Sequence, residues 1–383
     1  AMARPARSAP GLVWPAVVAV FMLVVRAKKR SSSSSASQGL RLAAVGLDIA
    51  SFVREVTDVR SMAFSDNGSL ALTGHWHAEA KLWDVERQEV HHTLDGHGGA
   101  VIAASFCEGG ALAVTGSVDG TVILWDTASG RLIRSFTLGK NMVTSVACGS
   151  GFLGSSVSVL AGASGGAARL WDSASDDSLE LDAPSGAGSG AVTVALGPGG
   201  ASAMTAAPNG SATLWLWESA PGAAAGVCAA EAACIRPRGL PLRGHQGWLL
   251  AAAFGAGGKR LLTGSHDGTA RVWDARTGRQ LRLFSEALGS VSAVGFSADG
   301  RLAYAGDGVG IVHVWDCEGG EELRRFSSDG KIAALTAMPG RALVGVLRKK
   351  PPISKEEADA KCQAQCGAQD TQKAAKMPVF EVR

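Results

Sequence analysis

The sequence predicts an all-β chain built from one repeated unit, and three observations carry that expectation. A long pattern occurs twice without insertion or deletion, as GHGGAVIAASFCEGGALAVTGSVDGTVILWD from Gly96 to Asp126 and GHQGWLLAAAFGAGGKRLLTGSHDGTARVWD from Gly244 to Asp274. His97, Thr115, Asp119 and Trp125 thereby correspond to His245, Thr263, Asp267 and Trp273. Trp-Asp recurs at Trp83-Asp84, Trp171-Asp172 and Trp315-Asp316, and Trp215 stands without its Asp, at successive intervals of 42, 46, 44, 58 and 42 residues. Finally, 50 glycines and one tyrosine in 383 residues suit many short strands joined by tight turns.

The paired His, Thr, Asp and Trp positions and their interval resemble the WD-repeat family, whose four-stranded units assemble into β-propellers. The resemblance implies a seven-bladed β-propeller of WD repeats over residues 45–383. Such a chain is one closed body, because a single blade cannot bury its own apolar faces.

Ahead of it, residues 1–44 read as a basic leader. Residues 1–47 hold seven Lys/Arg and no Asp or Glu. Residues 11–25, GLVWPAVVAVFMLVV, are uncharged and followed by RAKKR and the flexible linker SSSSSASQ. As a helix the run spans about 22 Å, short of a bilayer core of about 30 Å. Three readings stay open: a membrane anchor, an organelle-targeting leader, and a disordered leader with no such role.

The blades begin near Leu47. Each opens on an alternating apolar strand, such as Val59 to Phe64, Val101 to Phe106, Leu249 to Phe254 and Val291 to Phe296. Gly-rich turns follow (SDNG, CEGG, GPGG, GAGG, SADG), supplying the positive φ that tight hairpins require. Then come a second strand, a third strand bearing the Trp, and a more polar fourth. Six blades close on Trp83, Trp125, Trp171, Trp215, Trp273 and Trp315.

The long interval holds an Ala/Gly-rich insert at about residues 219–236, between third and fourth strands. After the sixth blade, KIAALTAMPG and RALVGVL supply two strands, a charged insert occupies residues 348–376, and the chain ends MPVFEVR. Phe380-Glu381 reads as a degraded Trp-Asp. Residues 377–383 are expected beside 341–347 as the third strand of a last blade closed by both termini, with residues 45–53 as its fourth. Pro378 donates nothing to a ladder, but without closure two sheet edges stay open. The 348–376 insert is expected on the face of Trp76, and the 219–236 insert on the opposite face.

His97, Thr115 and Asp119 offer a base, a hydroxyl and an orienting carboxylate. The same set at the same spacing in two blades argues for structure instead, since an active site needs one copy. The family resemblance implies two buried tetrads: His97, Thr115, Asp119 and Trp125, and His245, Thr263, Asp267 and Trp273. The first blade keeps Thr73 and Trp83 with His77 in place of Asp, and the fourth keeps Thr205 and Trp215 with Asn209. The third and sixth have Gly165 and Val309 there and nothing at the His position, so uneven rigidity is expected. Seven cysteines at irregular spacing do not read as a disulfide framework and suggest a reduced, cytosolic body. Cys362 and Cys366, like Cys228 and Cys234, read as free thiols, with too few ligands for zinc.

Trp76, beside His75 and His77, lies in a second-to-third-strand turn, and Trp248 lies where the chain enters a first strand. Trp76, His77 and Trp248 are the candidate partner-binding residues of one face. Removing the seven leader cations from the net charge of +3 leaves the other 336 residues at −4, which argues against nucleic acid. The expected function is a non-catalytic scaffold or adaptor for protein or peptide partners, with no cofactor or metal. It is expected in the cytoplasm, with a membrane anchor or organelle targeting through the N-terminal 30 residues as alternatives. A propeller enzyme would need polar groups converging on the central channel, and the first strands (VRSMAF, VIAASF, VTSVAC) are small and apolar.

Overall fold

Strands bounded by Gly-rich turns pair with their nearest neighbours in sequence, and the computed structural model shows that pattern six times over. It describes residues 19–21, 48–52, 59–87, 89–150, 157–174, 178–181, 192–219, 235–285, 289–328, 331–338 and 341–348. Within these, six four-stranded antiparallel sheets follow one another along the chain. Their first strands are Val59–Phe64, Val101–Phe106, Val143–Ser150, Thr193–Leu196, Leu249–Phe254 and Val291–Phe296. The corresponding fourth strands are Glu89–Asp95, Leu132–Thr137, Ser178–Leu181, Ile235–Leu242, Gln280–Phe284 and Glu322–Ser327. In the fourth sheet Ala212–Ser219 pairs directly with Ile235–Leu242, so the Ala/Gly-rich insert joins third to fourth strand; the insert itself lies outside the described residues.

The first strands form the inner circle. Each neighbours the first strand of the next sheet, and Lys331–Met338, first strand of a seventh sheet, lies between those of sheets six and one. The core is the set of seams between sheets. Leu72, Leu82 and Leu94 of sheet one bury against Phe106, Ile123 and Trp125 of sheet two, and Phe284 of sheet five buries against Trp315 of sheet six. The Trp of each of sheets two to six thus seals its sheet to the preceding one. Close approach at the inner end demands glycine. A Cβ at Gly116 would lie 2.5 Å from the Val143 side chain of the next sheet, and one at Gly264 would lie 2.6 Å from Val291. Because the same register of contact recurs between sheets, equivalent turns emerge on the same face.

The seventh sheet corrects the expected closure. Lys331–Met338 pairs antiparallel with Arg341–Arg348, as expected of first and second strands. Asp48–Phe52 then pairs with Arg341–Gly345 directly and in parallel, occupying the third position and not the fourth. Its direction is still that of a fourth strand, since second and fourth strands of an antiparallel meander run the same way. The other end of the same edge is taken by Ala19–Phe21, antiparallel to Val346–Arg348. Residues counted as leader therefore add a strand to this sheet. Residues 377–383 lie outside the described residues, as does the 348–376 insert beyond Arg348.

A second correction concerns the cysteines. Cys107 and Cys148 form a disulfide, with Cα atoms 4.8 Å apart, that joins the first turn of sheet two to the first strand of sheet three. Cys317 is free and buried, and burial pushes its thiol up to about 11. The other four cysteines, Cys228, Cys234, Cys362 and Cys366, lie outside the described residues. Among the described residues, no helix is long and apolar enough to cross a membrane.

Candidate functional site

Two kinds of polar constellation stand out: networks inside the sheets and a set of exposed aromatics on one face. In sheet two, the Trp125 indole N–H donates to Thr115 Oγ1 at 2.8 Å, and Thr115 lies 2.7 Å from His97 Nε2. His97 Nδ1 lies 2.9 Å from Thr121 Oγ1 and 3.5 Å from Asp119 Oδ2. The Thr121 hydroxyl donates to Asp119 Oδ1 at 2.6 Å, and the Gly98 N–H donates to Oδ2 at 2.6 Å. Sheet five repeats the chain: Trp273 to Thr263 at 2.9 Å, Thr263 to His245 at 2.8 Å, and His245 Nδ1 to Asp267 Oδ2 at 3.0 Å. Thr269 donates to Asp267 at 2.7 Å, as Thr121 does to Asp119.

Thr121 and Thr269 are fifth members that the sequence reading missed, although both follow the same Asp-Gly pair. With the tryptophan donating into the threonine, the threonine hydroxyl donates to Nε2, and Nδ1–H points at the carboxylate side. That tautomer is neutral, and burial accordingly holds both His97 and His245 below the ordinary imidazole pKa. Burial alone would raise Asp119 and Asp267. The hydroxyl and backbone N–H donors outweigh it and hold both carboxyls below their usual range. Thr115 and Thr263 are fully buried, so neither hydroxyl is open to a substrate.

The sign of the pH dependence follows. A histidine held below its ordinary pKa leaves the unfolded chain to bind more protons, so stability falls as pH drops below about 6.5. Depressed carboxylates add stability that is lost as pH falls further, through their folded-state pKa values. The melting temperature is therefore expected to decline from pH 7 to pH 5. Asp119→Ala is expected to cost about 1–3 kcal/mol at pH 7, because the Thr121 hydroxyl and the backbone N–H groups of Gly98 and Thr121 lose their acceptor beside the buried His97 ring. Thermal unfolding across that pH range checks both, and a Tm that is flat in pH and unmoved by the substitution would overturn the account.

Other sheets pin themselves differently. In sheet one Trp83 donates to Thr73 at 2.8 Å, and the histidine that meets Thr73, at 2.9 Å, is His75 from the same strand. In sheet four Trp215 donates to Thr205 at 2.9 Å, while Asn209 accepts the Ser211 backbone N–H at 3.0 Å. Sheet six, expected to hold nothing here, carries a network of its own. The Asp307 carboxylate accepts the N–H groups of Val309, Gly310 and Ile311 at 3.0, 2.9 and 2.8 Å. Its other oxygen faces His313 Nε2 at 3.6 Å, and His313 Nδ1 meets Glu322 at 2.8 Å. Arg325 grips Glu322 at 3.0 and 2.7 Å and, with smaller help from His313, holds that carboxyl low. The His313 ring stacks on Trp315, which stacks on Phe284. The expectation failed because Asp307 and His313 sit at register positions held by Ser117 and Ile123 in sheet two, outside the repeat's own motif.

The candidate partner-binding residues are at the surface. Trp76 is 44% exposed and Trp248 58%, and His77 is exposed beside Trp76. Trp76 and His77 occupy the turn between Leu70–His75 and Glu79–Asp84, at the end where Val59 pairs with His75. Trp248 occupies the equivalent end of sheet five, its carbonyl accepting the His266 N–H at 2.7 Å. They share a face, but sheets one and five are not neighbours, so the face presents two separate anchors. Among the described residues, no group of three or more His, Cys, Asp or Glu is placed to hold a metal ion.

Comparison with known families returns the WD domain, G-beta repeat, at residues 49–84, 88–126 and 237–274. Each match begins in the outermost strand of one sheet and ends on the Trp or Trp-Asp strand of the next, so the sequence unit straddles two sheets. No curated protein matches the chain.

Proposed function

Because this chain is a WD-repeat protein, we propose that it serves as a non-catalytic scaffold whose main protein partner docks on the face carrying Trp76, His77 and Trp248. WD repeats generally mediate protein–protein interactions, and the sheets here supply a framework that holds surface loops in place. The observation that carries the reading is the exposure of two tryptophans on one face. Exposed indoles lose water at little entropic cost and anchor interfaces well.

Trp76→Ala combined with Trp248→Ala is expected to weaken the principal partner while leaving the ring folded. Hot-spot truncations cost about 2 kcal/mol or more each, roughly 30-fold in affinity. The check is quantitative comparison of proteins captured by wild type and double variant, beside a melting curve of each. A partner held at wild-type level by a folded double variant moves the docking site elsewhere.

A further inference from the structure

At the position after the first buried residue of the inner strand, three sheets carry a hydroxyl, sheets two and five carry Ile102 and Leu250, and sheet one alone of the six carries a charge. In sheets three, four and six, the position after the first buried valine carries a hydroxyl that ties that sheet to the next. Thr144 donates to the Val192 carbonyl at 2.9 Å, Thr193 to Leu249 at 2.8 Å, and Ser292 to Ile332 at 2.5 Å. Sheet one carries Arg60 at this position. Its Nε is buried with no hydrogen-bond partner, and no carboxylate pairs with it among the described residues. The guanidinium lies over the Trp76 ring, 4.4 Å from the centroid. The Oγ of the next residue, Ser61, is likewise buried without a partner.

The adjoining turn departs from the pattern too. Gly120, Gly166, Gly210, Gly268 and Gly310 all adopt positive φ at one turn position, and Ala78 holds it in sheet one with φ of 68°. A side chain in that region costs about 1–2 kcal/mol, strain of the kind kept where a turn must present particular groups. His77 stands where complete repeats place the capping Asp.

We infer that Arg60, held over Trp76, is the receptor for a single carboxylate in an acidic peptide segment of the partner, a deepening that rests on the scaffold reading above. A guanidinium offers a planar fork that matches one carboxylate with two parallel bonds. Stacked on an indole it is oriented before binding, so little freedom remains to be lost. One arginine on a body of net charge −4 suits one carboxylate; a nucleic acid or a bilayer needs a row of cations. The exposed part of the Trp76 ring is left for an apolar neighbour of the acidic residue.

The test is selection from a displayed random-peptide library on the full chain, then fluorescence anisotropy with the best peptide. Enriched peptides are expected to share an Asp or Glu. Arg60→Met is expected to weaken the peptide at least 10-fold and Arg60→Glu to abolish it. Changing the peptide's acid to its amide is expected to remove the difference between wild type and Arg60→Met. Arg60→Lys, which keeps the charge but not the fork, is expected to fall between them and serves if Arg60→Met does not fold. Peptides without acids, or bound equally by wild type and folded Arg60→Met, would overturn this inference. If such peptides still need Trp76 and Trp248, the scaffold reading survives its loss; a library with no enrichment removes both.

Discussion

Opening the Cys107–Cys148 bond is expected to lower stability by about 4 kcal/mol. The two residues are 41 apart, and closing a loop of that length restricts the unfolded chain by about this amount in the chain-entropy account. The site is informative as well as the size. Elsewhere the residue after the first strand meets an aromatic of the next sheet, as a Cβ at Gly255 would meet Phe296 at 3.2 Å. Cys107 and Cys148 occupy this recurring contact between sheets two and three. Sheet three has Ala161 and Gly165 where sheet two has Thr115 and Asp119, so its internal pin is missing. The covalent link falls where the network is absent. Urea unfolding of the oxidised protein, of the reduced protein and of a Cys107→Ser, Cys148→Ser double variant tests this. Reductant is expected to shift wild type to the midpoint of the double variant and to leave the latter unmoved. Thiol trapping in freshly lysed cells reads whether the bond is closed in the protein's own compartment, and equal midpoints throughout would deny it any stabilising role.

What was legible in the sequence was whatever the repeat itself encodes. The alternating first strands, the Gly-rich turns and the Trp-bearing third strands fall where the periodicity places them, because each is set by pairing between neighbours in the chain. The two full networks were legible because His97 and His245 stand at fixed distances from Thr115 and Thr263. Contacts between sheets were not. Cys107 and Cys148 meet only once the inter-sheet register is known, and irregular spacing along the chain conceals an equivalence around the ring. The closing strand was half legible. That residues near 48–52 return to the last sheet follows from the need to cover an edge, but which partner they choose depends on what occupies the third position. Arg60 and Ala78 stand out only once the equivalent positions of the sheets are brought into register.

Asp307→Ala is expected to cost about 3 kcal/mol, the other large effect, because it leaves the backbone N–H groups of Val309, Gly310 and Ile311 without their shared acceptor, and a buried donor left unpaired costs about 1–3 kcal/mol. Asp307 and His313 are wholly buried, and the carboxylate alone organises three backbone N–H groups of the turn. Without it those donors have no acceptor, in a sheet whose His313 ring stacks on Trp315 and through it on Phe284. Asp307→Asn keeps an oxygen for the N–H groups and offers an amide donor to His313 Nε2, so a smaller loss is expected. The decisive variant is Asp307→Ser with His313→Ile, which installs the residues that sheet two carries in the same register, Ser117 and Ile123. A hydroxyl at 307 and an apolar side chain at 313 avoid the unpaired groups that Asp307→Ala leaves, each at about 1–3 kcal/mol, so the pair is expected to recover most of that loss. Recovery would show that sheet six uses one of two interchangeable ways to hold its turn. A double variant as unstable as Asp307→Ala would instead mean that the seam with sheet five has been shaped around the histidine, through its stacking on Trp315. An Asp307→Ala loss below about 1 kcal/mol, within the range of a surface pair, would remove the network from any account of the ring's stability.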